Sequence, residues 1–154
     1  MNLHEFYMKQ ALKQAAIAFE KDEVPVGCII VYKSQIIGRA YNQIKLLKDP
    51  TAHAEMIAIT QAASFLKNER LTDCAMYVTV EPCPMCVGAM VLARIKHLII
   101  GASDPKTGAC GGAMNLIQHS KLNHKIKVTF GIMQNESSLF MKEFFRKKRE
   151  KVGK

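Results

Sequence analysis

The chain has 154 residues, 49% of them hydrophobic, and carries a formal net charge of +9. That length suits one well-buried domain and is short for two. The apolar runs are too short to cross a bilayer, and Glu5, Lys9 and Lys13 leave no signal-peptide core near the N-terminus, so no membrane association and a cytoplasmic location are expected.

Met8, Leu12, Ala15 and Phe19 recur at helical spacing and predict an amphipathic helix from Leu3 to Glu20. Glu23-Val24-Pro25-Val26-Gly27 breaks it. Cys28 to Tyr32 and Ile36 to Tyr41 then read as the strands of a hairpin across Lys33-Ser34-Gln35, with Cys28 in the core. A polar loop through Asp49-Pro50 leads to a second helix whose first turn holds His53 and Glu55, with Asp49 or Thr51 as its cap. Met56, Ile59, Ala63 and Leu66 give that helix a face to bury. A strand at Ala75 to Val80 follows, then a helix from the Cys83 region to about Leu92, then a strand at His97 to Gly101. Strand, helix and strand in that order require parallel pairing through a crossover, and sites on such sheets lie outside the carboxyl ends of the strands.

The segment from Ala102 to Gly112, with Asp104-Pro105-Lys106-Thr107-Gly108 and Gly111-Gly112, reads either as the border of a substrate entrance or as an ordinary turn. Met114 to His119 is expected to form a short helix, Ile126 to Ile132 a last strand, and about Glu136 to Lys151 a basic closing helix. His119 and His124 are expected at the surface. No repeat or linker interrupts the chain, so residues 1–154 are expected to form a single domain.

His53-Ala54-Glu55 and Pro82-Cys83-Pro84-Met85-Cys86 carry the chemistry. Cys83 and Cys86 stand three apart, on one face of a helix, where both sulfurs can reach one metal at roughly 2.3 Å. Pro82 suits the first helical position, where its missing N–H removes no bond. With His53 the cysteines fill three tetrahedral positions of zinc and leave the fourth for solvent. Thiolates at a helix N-terminus are favoured by the positive end of the helix dipole. Two thiolates neutralise the dication and leave bound water less acidic than an all-histidine site does, so a neighbouring base is needed. Glu55 is that base, and it can return protons to a ring nitrogen and to a departing amine. Taken alone, CxxC is also the pattern of a redox pair or of half a structural zinc site. The other cysteines, Cys28, Cys74 and Cys110, fit reduced thiols better than a disulfide framework.

The charge is unevenly placed: Lys142 to Lys154 holds seven basic residues against two acidic ones, five of the nine net charges. Such a segment suits a polyanion, although a solvated tail has the same composition. Phe144 and Phe145 within it can anchor the helix or stack on unpaired bases.

The combined HxE and PCxxC motifs are the signature of zinc nucleobase deaminases. With Glu23-Val24-Pro25-Val26-Gly27, Tyr41-Asn42, Pro50-Thr51-Ala52-His53-Ala54-Glu55, Tyr77-Val78-Thr79-Val80-Glu81-Pro82-Cys83, Gly101-Ala102-Ser103-Asp104-Pro105-Lys106-Thr107-Gly108 and Phe144-Phe145-Arg146, the chain resembles the bacterial tRNA-specific adenosine deaminases nearly end to end. The resemblance implies an α/β fold of three layers, α/β/α, cytidine-deaminase-like, with a five-stranded mixed sheet flanked by helices. It implies one Zn2+ per chain on His53, Cys83 and Cys86, proton transfer by Glu55, and conversion of the wobble adenosine of a tRNA anticodon stem-loop to inosine. Val26, Asn42 and the Ala54 backbone would meet the flipped-out adenine; Asp104 and the segment with Phe144, Phe145, Arg146 and Arg149 would meet neighbouring nucleotides. A homodimer is implied by the same likeness.

Pro84-Met85 departs from the commonest spelling of that family and resembles bacterial guanine deaminases, which use the same metal chemistry on a free base. The alternatives are therefore a free-base or nucleotide deaminase and, in another class, a non-catalytic zinc-stabilised RNA-binding module.

Overall fold

The computed structural model describes residues 2–152. Helix α1 (Leu3–Glu20) begins at Asn2, whose side-chain oxygen accepts from the Glu5 N–H at 2.8 Å, and precedes a hairpin of β1 (Gly27–Tyr32) and β2 (Gln35–Tyr41). The hairpin turn is two residues long, not three: Lys33 and Ser34 have φ of 48° and 63°, the left-handed pair whose twist matches flanking strands. A one-turn helix α2 (Ile44–Leu47) and the longer α3 (Ala54–Leu66) lead to β3 (Ala75–Val80), α4 (Pro84–Ala93), β4 (His97–Ala102), β5 (Lys127–Thr129) and α5 (Gln134–Val152).

The sheet order is β2-β1-β3-β4-β5, with β1 antiparallel to both neighbours and β3, β4 and β5 mutually parallel. This is the five-stranded mixed sheet expected. Alternation along β1 divides the core into two layers. Cys28 and Ile30 face α3 and α4 together with Met76, Val78, Leu98 and Ile100, whereas Ile29 and Val31 face α1 together with Tyr77 and Ile99. Each fully buried isoleucine contributes about 1.5–3 kcal/mol relative to an exposed one. Helices therefore cover both faces, and α5 lies beside α1 over β4. Among the described residues no helix is long and apolar enough to cross a membrane.

Two expected elements are replaced. Met114 to His119 forms turns and a single bridge, Cys110 to Asn115, because its backbone groups pair back onto Gly108 and Ala109. The last strand shrinks to three residues at the sheet edge, where only β4 offers it a partner.

Gly27 is where α1 lies closest to the sheet: an added Cβ would sit 1.9 Å from the Ala11 carbonyl oxygen and 2.5 Å from the Ala15 nitrogen. Both obstacles are backbone, so Gly27→Ala must push the helix away. Urea denaturation should show a loss of about 3 kcal/mol or failure to fold; a loss under about 0.5 kcal/mol would contradict this packing.

Candidate active site

The site forms where two helix starts meet. His53 is the N-cap of α3 and Cys83 is the N-cap of α4, with Pro84 at the first helical position and Cys86 in the first turn. Pro84, not Pro82, thus occupies the position expected for proline, and the helix starts two residues later than expected, with Cys83 at its cap rather than inside it. The Sγ atoms of Cys83 and Cys86 stand 3.7 Å and 3.6 Å from His53 Nδ1, and the three donor atoms lie within 4.8 Å of one another. Zinc–sulfur and zinc–nitrogen bonds of ordinary length at a tetrahedral angle separate S and N by about 3.6 Å. The donor set therefore fits one tetrahedral metal ion.

Both helix dipoles direct their positive ends at these sulfurs. Cys83 is held down to about 4 by the Cys86 thiol beside it and, after that, by His53. Its thiolate in turn raises His53 above the ordinary histidine value, and proximity to Cys83 together with burial pushes Cys86 far up. The surroundings thus favour a negative sulfur at Cys83 and positive charge beside it. A divalent ion would take over that positive role and bring the second thiol to its ligating form.

Glu55 lies in the first turn of α3, 3% exposed. Burial raises its carboxyl above the usual carboxylate range. It lies outside the three-donor cluster, and among the described residues its Oε1 has no hydrogen-bond partner. A buried, unpaired carboxylate oxygen facing a cavity is a proton acceptor held ready.

Neither Asp49 nor Thr51 caps α3. Asp49 instead accepts from Thr51 through both its N–H and its hydroxyl. The orphan Ala54 N–H is taken by Asn42 Oδ1 at 2.8 Å, a cap supplied from the end of β2 because the His53 ring is turned to the cysteines. Asn42 therefore presents its NH2 to the cavity, and of the Ala54 backbone, expected to meet the base, the N–H is engaged by Asn42.

Val26, Asn42, His53, Glu55 and Cys83 line a cavity of about 190 Å³, closed by Ile44 and Met141, which carry no motif signal. It opens into a groove of about 870 Å³ that shares Val24, Val80, Asp104, Thr107 and Met141 with it. One side of the groove is Ser103–Thr107; the other is a stripe of α5, Ser138, Met141, Lys142, Phe145, Lys148 and Arg149. These positions recur at three and four residues, so one helical face turns to the groove. Phe145 and Arg149 are on it.

Phe144 and Arg146 are not. Phe144 is buried, its ring 6.3 Å from Phe19, and anchors α5 to α1. Arg146 points to solvent, paired with Glu143 at 2.8 Å and with Glu150. Lys148 also pairs with Asp22 at 2.7 Å, and Lys148 first, then Lys45, hold the Asp22 carboxyl down to about 2. Asp104 is occupied at home: its carboxylate accepts from the N–H groups of Lys106 and Thr107 and from the Thr107 hydroxyl.

The MafB19-like deaminase family matches residues 2–149. The tRNA-specific adenosine deaminase of Bacillus subtilis (strain 168) is 44% identical over 98% of this chain and 94% of its own length. A solved tRNA:A34 deaminase of A-to-I editing at the wobble position of transfer RNA superposes with a TM-score of 0.85 at 39% identity, over 88% of this chain and 98% of that one. The guanine deaminase from Nitrosomonas europaea shares the fold, with a TM-score of 0.78 at 20% identity over 91% of this chain and 83% of its own. Near-full-length identity at this level, together with the His53, Cys83, Cys86 and Glu55 arrangement, places the chain in the family of tRNA-specific adenosine deaminases.

Proposed function

We propose that this protein hydrolyses adenosine to inosine at the wobble position of a tRNA anticodon loop, as a single zinc-dependent domain in the cytoplasm. The observation that carries the substrate assignment is the pairing of a small cavity with a larger cationic groove. At about 190 Å³ the cavity is below the roughly 300–1,000 Å³ of pockets that enclose drug-sized ligands. It suits a base but not the chain attached to it. The groove, bordered by Lys106, Lys142, Lys148 and Arg149, supplies the matching place for phosphates. A free-base guanine deaminase has no use for those cations. A loop nucleotide is already unpaired, so turning it into the cavity is less costly than opening a duplex.

Zinc on His53, Cys83 and Cys86 would supply the Lewis acidity that makes a solvent molecule nucleophilic near neutral pH. Glu55 accepts the proton released as the new C6–O bond forms and donates to the ring nitrogen. It then carries a proton to the amino group, so that the C6–N bond breaks and ammonia leaves. Asn42 offers its NH2 to an acceptor on the purine edge, and Val26 packs against the ring. The groove residues Phe145, Lys148 and Arg149 hold flanking nucleotides. A non-catalytic module is disfavoured because Glu55 is no fourth ligand among the described residues.

Helix α4 supports the homodimer. It buries Cys86, Val87, Met90, Val91 and Ala93, yet its outer stripe of Met85, Gly88, Ala89 and Leu92 is apolar too, with Leu92 79% exposed. A helix apolar on both sides calls for cover on both. A second copy of the chain is the proposed cover. Leu92→Glu should halve the mass seen by sedimentation equilibrium; an unchanged mass, whether monomeric or dimeric before substitution, would contradict this.

Three further outcomes are expected. Glu55→Ala should lower inosine formation in an anticodon stem-loop by at least about a hundredfold while bound zinc, by mass spectrometry, stays at the wild-type level; loss of zinc would make Glu55 a ligand instead. Removing the metal with a chelator should abolish activity and lower the melting temperature, both recovered on adding zinc. Lys148→Gln with Arg149→Gln should reduce the salt slope of RNA binding by about 1.4, or roughly 0.7 per single-strand phosphate. Arg146→Gln, off the groove, should leave the slope unchanged, and equal effects from the two would contradict the assigned helical face.

A further inference from the structure

Glu81 is a second buried acid, 4% exposed, between the metal-ligand turn and the loop that walls the groove. It takes no part in the proposed proton transfers. Its Oε1 accepts from the Asp104 N–H at 2.9 Å, and its Oε2 accepts from the N–H groups of Cys110 and Gly112, both at 2.9 Å. A buried carboxylate persists only when its lone pairs are met, and here three backbone donors meet them. Two more bonds join the same strands of chain: Glu81 N–H donates to the Ala102 carbonyl at 2.8 Å, and Ala109 N–H donates to the Pro82 carbonyl at 2.8 Å.

The loop wraps the acid closely. A Cβ at Gly108 would fall 2.3 Å from Glu81 Cδ, and one at Gly112 would fall 2.7 Å from Oε1. Gly108 and Gly112 are thus explained by the Glu81 carboxylate together with the Asp104 carbonyl, whereas Gly111 is set by its positive φ of 119°. The bonds converge from both ends of the loop, before and after Lys106 and Thr107, so Glu81 fixes the height of that wall over the groove. Two residues farther along the chain is Cys83.

We propose that Glu81 is a positioning residue that ties the RNA-facing loop, residues 103–112, to the turn bearing the metal ligands, and thereby sets how tightly the groove grips its polynucleotide. This inference rests on the proposed activity. Removing the charge while keeping the size releases a defined part of the loop. In Glu81→Gln the single acceptor oxygen keeps most bonds by staying on Cys110 and Gly112. The new NH2 then opposes the Asp104 N–H, donor against donor, and the turn carrying Lys106 loses its tether. Lys106 and Thr107 border the groove and take no part in proton transfer, so the loss is one of uniform binding.

The test compares zinc-loaded wild type, Glu81→Gln and Gly108→Ala on an anticodon stem-loop RNA. Gly108→Ala crowds the same carboxylate from the other side and decides the matter if Glu81→Gln does not fold. KM should rise about tenfold with kcat within about twofold of wild type, as expected for loss of a charge-assisted bond. Zinc content should stay unchanged. Amide exchange in the 103–112 segment should quicken about tenfold or more while that of β3 does not. Wild-type KM and wild-type exchange in a folded variant, or a fall in kcat with KM unchanged, would overturn the proposal. If the wild type itself fails to deaminate the RNA, the proposed function falls; the Kd for the same RNA then replaces KM, and its tenfold rise or constancy still decides the role of Glu81.

Discussion

Everything in this molecule depends on bringing the first residues of α3 and α4 to one point. A helix start offers unpaired N–H groups and a positive dipole end, and two of them facing the same sulfurs make thiolates tolerable where a single loop would not. The parallel β3-α4-β4 unit supplies one start and the hairpin-to-α3 connection supplies the other. Asn42 locks the second by capping Ala54, so the residue proposed to present an NH2 to the base also fixes the start of the helix that follows His53.

Around that point the fold separates two tasks. The inner cavity is small, and the Glu55 carboxyl at its edge is buried, which strengthens its interactions with whatever enters. The outer groove is open and bordered by Lys106, Lys142, Lys148 and Arg149. Buried acids brace the surroundings: Glu81 gathers the 103–112 loop beside the groove, and Glu23 accepts from the Lys45 and Leu46 N–H groups at 3.1 Å and 2.8 Å to seat α2, whose Ile44 borders the inner cavity. Backbone N–H groups, not basic side chains, satisfy both. The groove cations Lys106, Lys142 and Arg149 consequently remain available to an external polyanion, and Lys148 can exchange its partly exposed pair with Asp22 for a phosphate.

The sequence made the three-donor cluster legible because its spacing is local: two cysteines three apart, and a carboxylate two after the histidine. The βαβ unit was legible for the same reason, since β3, α4 and β4 each hold a full hydrophobic period. What was hidden depends on contacts distant in sequence. Asn42 caps a helix that starts twelve residues later, and Glu81 meets donors 23, 29 and 31 residues away. The closing segment is basic and aromatic in composition, but composition does not reveal its helical phase: Phe145 and Arg149 share a face with Lys142, whereas Phe144 and Arg146 do not. The expected helix at Met114 had adequate composition, yet the pull of Gly108 and Ala109 on its backbone groups favoured turns.

Zinc-edge X-ray absorption on the purified protein tests the arrangement most directly. Two sulfur scatterers, one imidazole nitrogen and one light solvent scatterer are expected, with the spectrum unaltered in Glu55→Ala. Fewer than two sulfurs, or a light scatterer that disappears with the Glu55 carboxylate, would contradict a site built from two helix starts with a separate proton carrier beside it.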